Sequence, residues 1–194
     1  MQEFLFYTKL GLEHVLDFSA YDHILFLAAL ALPFTFKNWK NVLLLATIFT
    51  VAHCTSLVLS VYEVVVFDVS FIEFLIPVTI FITAVFNLFY MLAIKKEQSI
   101  LLHIIATAFF GLIHGFGFSN YFKMLLSGEE EKISPLVGFA LGIELSQLII
   151  VLTVLILALI LQGKLKIKQQ HFVIVGSIAI VLITIPMLIN TFPW

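Results

Sequence analysis

Long apolar segments separated by short polar ones dominate the chain, and this pattern most constrains its fold. A helix needs about 20 predominantly apolar residues to cross the hydrocarbon core of a bilayer. Only 11% of the residues are charged, whereas soluble domains carry about 25%. The segments that meet or approach the required length are residues 21–36, 41–61, 71–94, 99–122, 134–161 and 171–189. The sequence therefore predicts an all-α membrane protein with a bundle of about six transmembrane helices.

Residues 1–18 differ from the other segments, because apolar and charged side chains alternate along them. We expect an external amphipathic helix that lies at the membrane interface and folds back on the bundle. The apolar run at residues 4–7 is too short for the core of a cleaved secretory signal, so none is expected. Residues 1–194 are expected to form a single integral membrane domain, with the six-helix bundle at residues 21–189.

The loops alternate in charge. Lysines follow the first, third and fifth apolar segments, and acidic residues dominate the loops between them. These lysines are Lys37, Lys40, Lys95, Lys96, Lys164, Lys166 and Lys168. Because lysine-rich loops face the cytoplasm, the pattern predicts that both termini lie on the non-cytoplasmic side. The expected location is a bacterial-type inner or plasma membrane.

Composition excludes several classes of protein. The net charge is −2 and arginine is absent, which argues against nucleic acid as a partner. Cys54 is the single cysteine, so neither an internal disulfide nor a cysteine-rich metal site can form. No ATP-binding motif is present, so any transport would be passive or driven by a gradient. The expected partners are the lipid bilayer and a metal ion. Association with further copies of the chain, as a homo-oligomer, is an open alternative.

Ionisable residues inside the apolar segments are the strongest functional signal. Each costs at least about 2.5 kcal/mol at the bilayer centre and marks a functional site by default. With the predicted orientation, the ionisable residues of five segments lie in the outer half of the membrane, whereas His103 lies at the opposite, cytoplasmic end. His14 and Asp17 lie on one face of the preceding segment, just above them. The residues in the outer half are Asp22, His23, His53, Glu73, His114 and Glu144.

Imidazole and carboxylate groups are the ligands of borderline divalent metals such as nickel, cobalt and zinc. We therefore expect a metal site in the outer half of the bilayer. Its candidate ligands are His14, Asp17, Asp22, His23, His53, His114 and Glu144. The alternative for each residue is a hydrogen bond between helices without any metal.

Four further polar residues are candidates for a supporting role. Gln147 follows Glu144 by three residues, and Thr50 precedes His53 by three, so each shares a helix face with a candidate ligand. Asn87, deep in the third segment, either lines a path inward or bonds between helices. Glu73, near the outer end of the same segment, completes this group.

Two pairs of residues repeat along the chain. Phe49 precedes His53 by four residues, and Phe110 precedes His114 by the same spacing on a segment of the same predicted direction. Weak internal repeats of this kind occur in transporters. Gly111, Gly115, Gly138 and Gly142 add small-residue pairs that allow helices to approach closely.

Taken in chain order, these residues resemble the motifs of the HupE/UreJ family, and the resemblance covers nearly the whole chain. Members of that family are regarded as nickel or cobalt permeases associated with hydrogenase and urease. The resemblance implies a nickel- or cobalt-type permease. The residues that carry it are Gly11, His14, Asp22, His23, Phe49, Thr50, His53, Glu73, Asn87, Phe110, Gly111, His114, Gly115, Gly138, Gly142, Glu144 and Gln147.

Two other functions fit the same residues. A zinc ion held by three histidines and a carboxylate could activate water, which would make the protein an intramembrane hydrolase or acyltransferase acting on a lipid-linked substrate at the outer leaflet. A haem ligated by His53 and His114 is the other alternative. We expect a permease rather than an enzyme, and we assign no catalytic residue.

Overall fold

The computed structural model describes residues 2–93, 100–129 and 131–193. Over these ranges the chain is helical and contains no strand, which confirms the all-α prediction. A short 3-10 helix, Phe36–Asn38, precedes the third α-helix. The α-helices are α1 (Gln2–Leu16), α2 (Asp22–Ala31), α3 (Trp39–Val61), α4 (Val69–Ala93), α5 (Ile100–Leu125), α6 (Ile133–Gly163) and α7 (Gln169–Asn190).

Five helical stretches are long and apolar enough to cross a membrane, and they match five of the six predicted segments. They are Phe36–Val61, Val69–Leu92, Ile100–Leu125, Ile133–Gly163 and Gln169–Asn190. The chain is thus an integral membrane protein. Lys95, Lys96 and Glu130, which contribute to the predicted orientation, lie outside the described residues. The side on which the termini lie stays a prediction.

The first predicted segment, residues 21–36, forms a helix of only 10 residues, too short to cross the bilayer core alone. The reason is Pro33, which has no N–H to donate to the carbonyl of Ala29 one turn earlier. That carbonyl accepts a hydrogen bond from Asn87 Nδ2 of α4 instead, at 2.7 Å. Of the two roles expected for Asn87, hydrogen bonding between helices therefore has direct geometric support.

Asn87→Leu should lower the free energy of unfolding by about 1–3 kcal/mol, because the buried carbonyl of Ala29 would lose its donor. Asn87 itself is 2% exposed, so this hydrogen bond is shielded from bulk solvent. Denaturant unfolding of the detergent-purified protein measures the effect. Asn120→Leu, at an exposed position of α5, is the control. Equal stability of the two variants would show that the bond to Ala29 contributes nothing.

Glycines bring α3 and α5 into backbone contact. A Cβ atom at Gly111 would lie 2.8 Å from the carbonyl oxygen of Phe49, and one at Gly115 would overlap the carbonyl oxygen of His53. From the first of these contacts to the second, the residue number increases by four on both helices. The two helices therefore run in the same direction. The repeated phenylalanine–histidine pairs are thus placed on two parallel, closely packed helices.

A second glycine contact joins α1 to α6. A Cβ atom at Gly138 would lie 2.7 Å from the carbonyl oxygen of Phe4, and one at Gly142 would overlap that of Thr8. The helix predicted at residues 1–18 is therefore present and runs along α6 in the same direction. Its charged face remains exposed, where Lys9 pairs with Glu13.

Helix α2 continues along α6 where α1 stops. Ala31, its last residue, packs in one buried cluster with Val151 of α6, further along that helix than the contacts of α1. The connection between α1 and α2 spans residues 17–21. This short connection brings His14, near the end of α1, next to His23, at the start of α2.

Candidate metal centre

Three histidines from three helices meet at the connection between α1 and α2. His14 of α1, His23 of α2 and His53 of α3 each present one ligand atom, and these atoms all lie within 4.8 Å of one another. The ring centroids of His14 and His23 are 4.6 Å apart. His53 lies 5.8 Å from His14 and 5.6 Å from His23. We refer to these residues as the histidine triad.

His114 of α5 adds a fourth imidazole beside the triad, with its ring centroid 5.2 Å from that of His23. Its Nδ1 donates a hydrogen bond to the carbonyl oxygen of Phe110, at 2.9 Å. A carbonyl oxygen can only accept, so Nδ1 carries the hydrogen and Nε2 of the neutral ring keeps its lone pair. That lone pair is what a metal ion requires.

Asp22 orients the central histidine. Its Oδ1 lies 3.2 Å from Nδ1 of His23. A carboxylate in this position fixes the tautomer of a ligating histidine and makes its other nitrogen a stronger ligand. Asp22 is thus placed beside His23, and its role as a metal ligand stays a prediction. Its negative charge would partly offset that of a bound dication.

The remaining ring nitrogens have no hydrogen-bond partner within the described part of the chain. They are buried, and they comprise Nε2 of His14, His23 and His114 and both nitrogens of His53. Buried polar atoms are nearly always hydrogen-bonded, and exceptions call for an explanation such as an ion. Hydrogen bonds within α2 and α5 account for Nδ1 of His23 and of His114, and no hydrogen bond between helices accounts for any of the nitrogens named here.

Aromatic rings enclose the histidines. The ring of Phe118 lies 3.9 Å from that of His14, and Phe139 lies 5.7 Å from it. On the other side, Phe26 lies 5.2 Å from His114. Such apolar walls exclude water and strengthen electrostatic interactions inside the site.

Open space lies on both sides of this enclosure. An open depression beside His14 includes Glu13, Asp17 and Tyr121. On the opposite side, a cavity of about 220 Å³ lies between α2, α4 and α5. Its walls include Phe26, Phe110, Ile82, Asn87, Leu102 and His103. Phe26, whose ring lies beside His114, lines this cavity, and so does Phe110, whose carbonyl oxygen accepts the hydrogen bond from His114.

Glu144 lies outside the triad. Its two carboxylate oxygens accept hydrogen bonds from Thr47 and Thr50 of α3, each at 2.6 Å. Gln147 Nε2 donates to Thr50 Oγ1 at 2.7 Å. The expected helpers Thr50 and Gln147 are therefore brought together with Glu144. A role of these residues in metal binding stays a prediction.

The other acidic candidates lie around the site. Asp17 is exposed, and its Oδ1 accepts a hydrogen bond from the backbone N–H of Ser19 at 2.7 Å, which shapes the connection between α1 and α2. Glu73 is exposed as well and lines a depression together with Asp22. Both stay candidates for the path by which a metal ion reaches the triad.

Sequence reasoning missed two residues of these sites, Thr47 and Phe118. Thr47 precedes Thr50 by three residues, and this spacing could have predicted that both hydroxyls serve one partner. Phe118 follows His114 by four residues, but in a chain with 21 phenylalanines that spacing carries little information. Its contact with His14 depends on how α1 packs.

Asp22→Asn should weaken binding of a transition metal about 10–100-fold, because it removes the charge that orients and polarises His23. Equilibrium dialysis against cobalt measures the change. Glu63→Gln is the control, since it removes a carboxylate whose ion pair with Lys123 is on the surface. Unchanged cobalt affinity of Asp22→Asn would show that the carboxylate plays no part in the site.

The helices and the buried histidines define a polytopic membrane protein with a candidate metal site. A family model described as HupE / UreJ protein matches residues 1–191, so the chain belongs to the HupE/UreJ family. This match confirms the resemblance found from the motifs. Comparison with curated proteins finds no match, and comparison with solved structures finds none either.

Proposed function

We propose that the protein is a permease for a divalent transition metal, with nickel or cobalt as the substrate and zinc as the other candidate. The observation that carries this proposal is the triad of His14, His23 and His53, in which one ligand atom of each residue lies within 4.8 Å of the others. Each of the three histidines also has a buried Nε2 atom without a partner among the described residues. Membership of the HupE/UreJ family supports it, because members are regarded as nickel or cobalt permeases.

The chemistry of the ligands suits these metals. Imidazole binds nickel, cobalt and zinc, whereas magnesium and calcium prefer oxygen ligands. Neutral histidines can release a metal ion more readily than a thiolate site would, and a permease must release its substrate. Asp22 supplies one negative charge next to His23, which lowers the cost of holding a dication in an apolar bundle.

The path of the metal ion follows from the two open spaces. A hydrated ion would collect in the depression beside Glu13 and Asp17, reach His14 and exchange water for imidazole at the triad. Phe26 and Phe110, which line the inner cavity next to His114, would then have to move. Their side chains would thus form the gate of the proposed path.

Uptake of cobalt into proteoliposomes tests the proposal. Wild-type protein should give saturable uptake, and His53→Ala should reduce it to the rate of protein-free vesicles. His171→Ala, which removes an exposed histidine at the start of α7, should transport at the wild-type rate. Saturable uptake that survives His53→Ala, or vesicles that bind cobalt without accumulating it, would contradict the permease.

One observation favours the alternative of a zinc-dependent hydrolase or acyltransferase. Ile82 and Leu102, at the rim of the inner cavity, are 49% and 51% exposed, so an acyl chain could enter from the bilayer. For this enzyme, the purified protein should retain about one zinc per chain after chelation, held by three protein ligands with one position open for water. Zinc-dependent cleavage of a lipid ester that His53→Ala abolishes would then replace the permease as the proposed function.

The haem alternative has no support from the packing. His23 lies 5.6 Å from His53 and 5.2 Å from His114. Phe49 lies 5.9 Å and 5.2 Å from the same two rings. These side chains fill the region in which a porphyrin ligated by both histidines would have to lie.

A further inference from the structure

A second polar cluster lies between α3 and α6, and its side chains present hydroxyl, carboxylate and amide groups. It extends from the buried Thr50 and Gln147 through the half-buried Glu144 to the exposed Thr47. Glu144 accepts hydrogen bonds from the hydroxyls of Thr47 and Thr50, and Thr50 accepts one from the amide of Gln147. We call these residues the α3/α6 oxygen cluster. Its members are Thr47, Thr50, Glu144 and Gln147.

The carboxylate of Glu144 has no positively charged partner among the ion pairs of the described residues, which join other groups. If Glu144 is ionised, its only partners in the described part of the chain are the hydroxyl groups of Thr47 and Thr50, each 2.6 Å from a carboxylate oxygen. Hydroxyl groups stabilise that charge but do not cancel it. Within an apolar span, an unpaired charge is costly and calls for a counter-ion.

Gln147 provides an independent observation. Its side chain is fully buried at 0% exposure, and its Oε1 has no hydrogen-bond partner among the described residues. The same amide donates through Nε2 to Thr50, so the side chain that carries the unpaired oxygen is bonded to the cluster. An unpaired buried carbonyl oxygen is a group that a cation would satisfy.

The ligand chemistry differs from that of the triad. Carboxylate, hydroxyl and amide oxygens are hard ligands, which favour hard cations over nickel, cobalt or zinc. Glu144 supplies the single negative charge of the cluster, so a monovalent cation would neutralise it and a divalent ion would leave an excess positive charge. The cluster thus matches an ion of the sodium type.

We propose that Thr47, Thr50, Glu144 and Gln147 form a second cation site, which binds a hard monovalent cation such as Na⁺ separately from the transition metal. Thr50 precedes His53 by three residues on α3. Binding of a cation at this site would therefore favour one position of the helix that carries a triad ligand. The binding site stands without the proposed permease function. Its use as the site of a coupling ion rests on that function.

Equilibrium binding of ²²Na⁺ to the detergent-purified full-length chain tests the proposal. Wild-type protein should bind saturably, with about one ion per chain, and Glu144→Gln should abolish binding. Thr47→Val should weaken it about tenfold, the lower end of the effect of removing a supporting group from an ion site. Thr153→Val is the matched control, because its exposed hydroxyl donates only within α6, to Ile149 at 2.7 Å.

Cobalt binding by the same samples separates the outcomes. Glu144→Gln that retains cobalt binding but loses ²²Na⁺ would establish two distinct sites in a folded protein. Wild-type protein that binds ²²Na⁺ but not cobalt would refute the permease and leave this site standing. No saturable ²²Na⁺ binding by wild type, or equal binding by Glu144→Gln, would overturn the proposal. A dimer that requires Glu144 without binding sodium would overturn it as well, in favour of an interface.

Discussion

His53→Leu should abolish saturable cobalt or nickel binding while leaving the stability of the metal-free protein unchanged or slightly higher. Both ring nitrogens of His53 are buried and have no partner in the described part of the chain. Leucine fills most of the same volume and removes two unpaired polar atoms, whose burial opposes folding. If the histidine instead bonded helices together, the same substitution would destabilise the protein.

Thermal unfolding with and without metal separates these possibilities. A ligand present at 100 times its Kd stabilises the folded state by about 2.7 kcal/mol, and His53→Leu should lose that increment. His171→Leu, at an exposed position of α7, should keep it. A metal-free His53→Leu protein that is less stable than wild type by several kcal/mol would contradict a metal-binding role for this residue.

Gly11→Leu should separate α1 from α6 and so remove His14 from the triad. A Cβ atom at Gly11 would overlap the carbonyl oxygen of Phe139 and lie 3.1 Å from the backbone nitrogen of Ile143. Because both neighbours are backbone atoms of a long helix, the shorter α1 must move. Overpacking of this kind costs about 1–3 kcal/mol, and displacement of a triad ligand should weaken cobalt binding by more than the roughly 10–100-fold effect of losing a supporting partner.

Gly163→Leu is the control for this prediction, because no atom lies within 4 Å of a Cβ at the end of α6. Cobalt titration of the two variants gives the comparison, and hydrogen exchange of α1 shows whether the helix has lost its packing. Full cobalt affinity in Gly11→Leu would mean either that α1 accommodates the side chain or that His14 is not a ligand.

The long spans could be predicted from hydropathy because, in lipid, a helix is the structure that satisfies every backbone group within one segment. Helices α3 to α7 begin and end within three residues of their predicted bounds. The first segment was overestimated. Pro33, which cannot donate to the carbonyl of Ala29, indicates a helix end, but the sequence does not show which residue provides the missing donor. Asn87, which provides the hydrogen-bond donor for the carbonyl of Ala29, is 58 positions away from it in the sequence.

The candidate site was predicted in part. Depth along the predicted spans grouped the histidines with Glu144, but depth does not say which side of a helix faces which neighbour. His53 turns toward α1 and α2, whereas Thr50, on the next turn, carries the contact to Glu144. The position of His14 could not be predicted either, because Gly138 and Gly142 predict a close helix neighbour without identifying it as α1.

X-ray absorption spectroscopy of the zinc- and cobalt-loaded full-length protein tests whether the buried histidines bind a transition metal. We expect about three imidazole nitrogens at about 2.0–2.1 Å from the metal, and loss of this signal in His53→Leu. A first shell of oxygen atoms alone, or a spectrum that His53→Leu leaves unchanged, would contradict it.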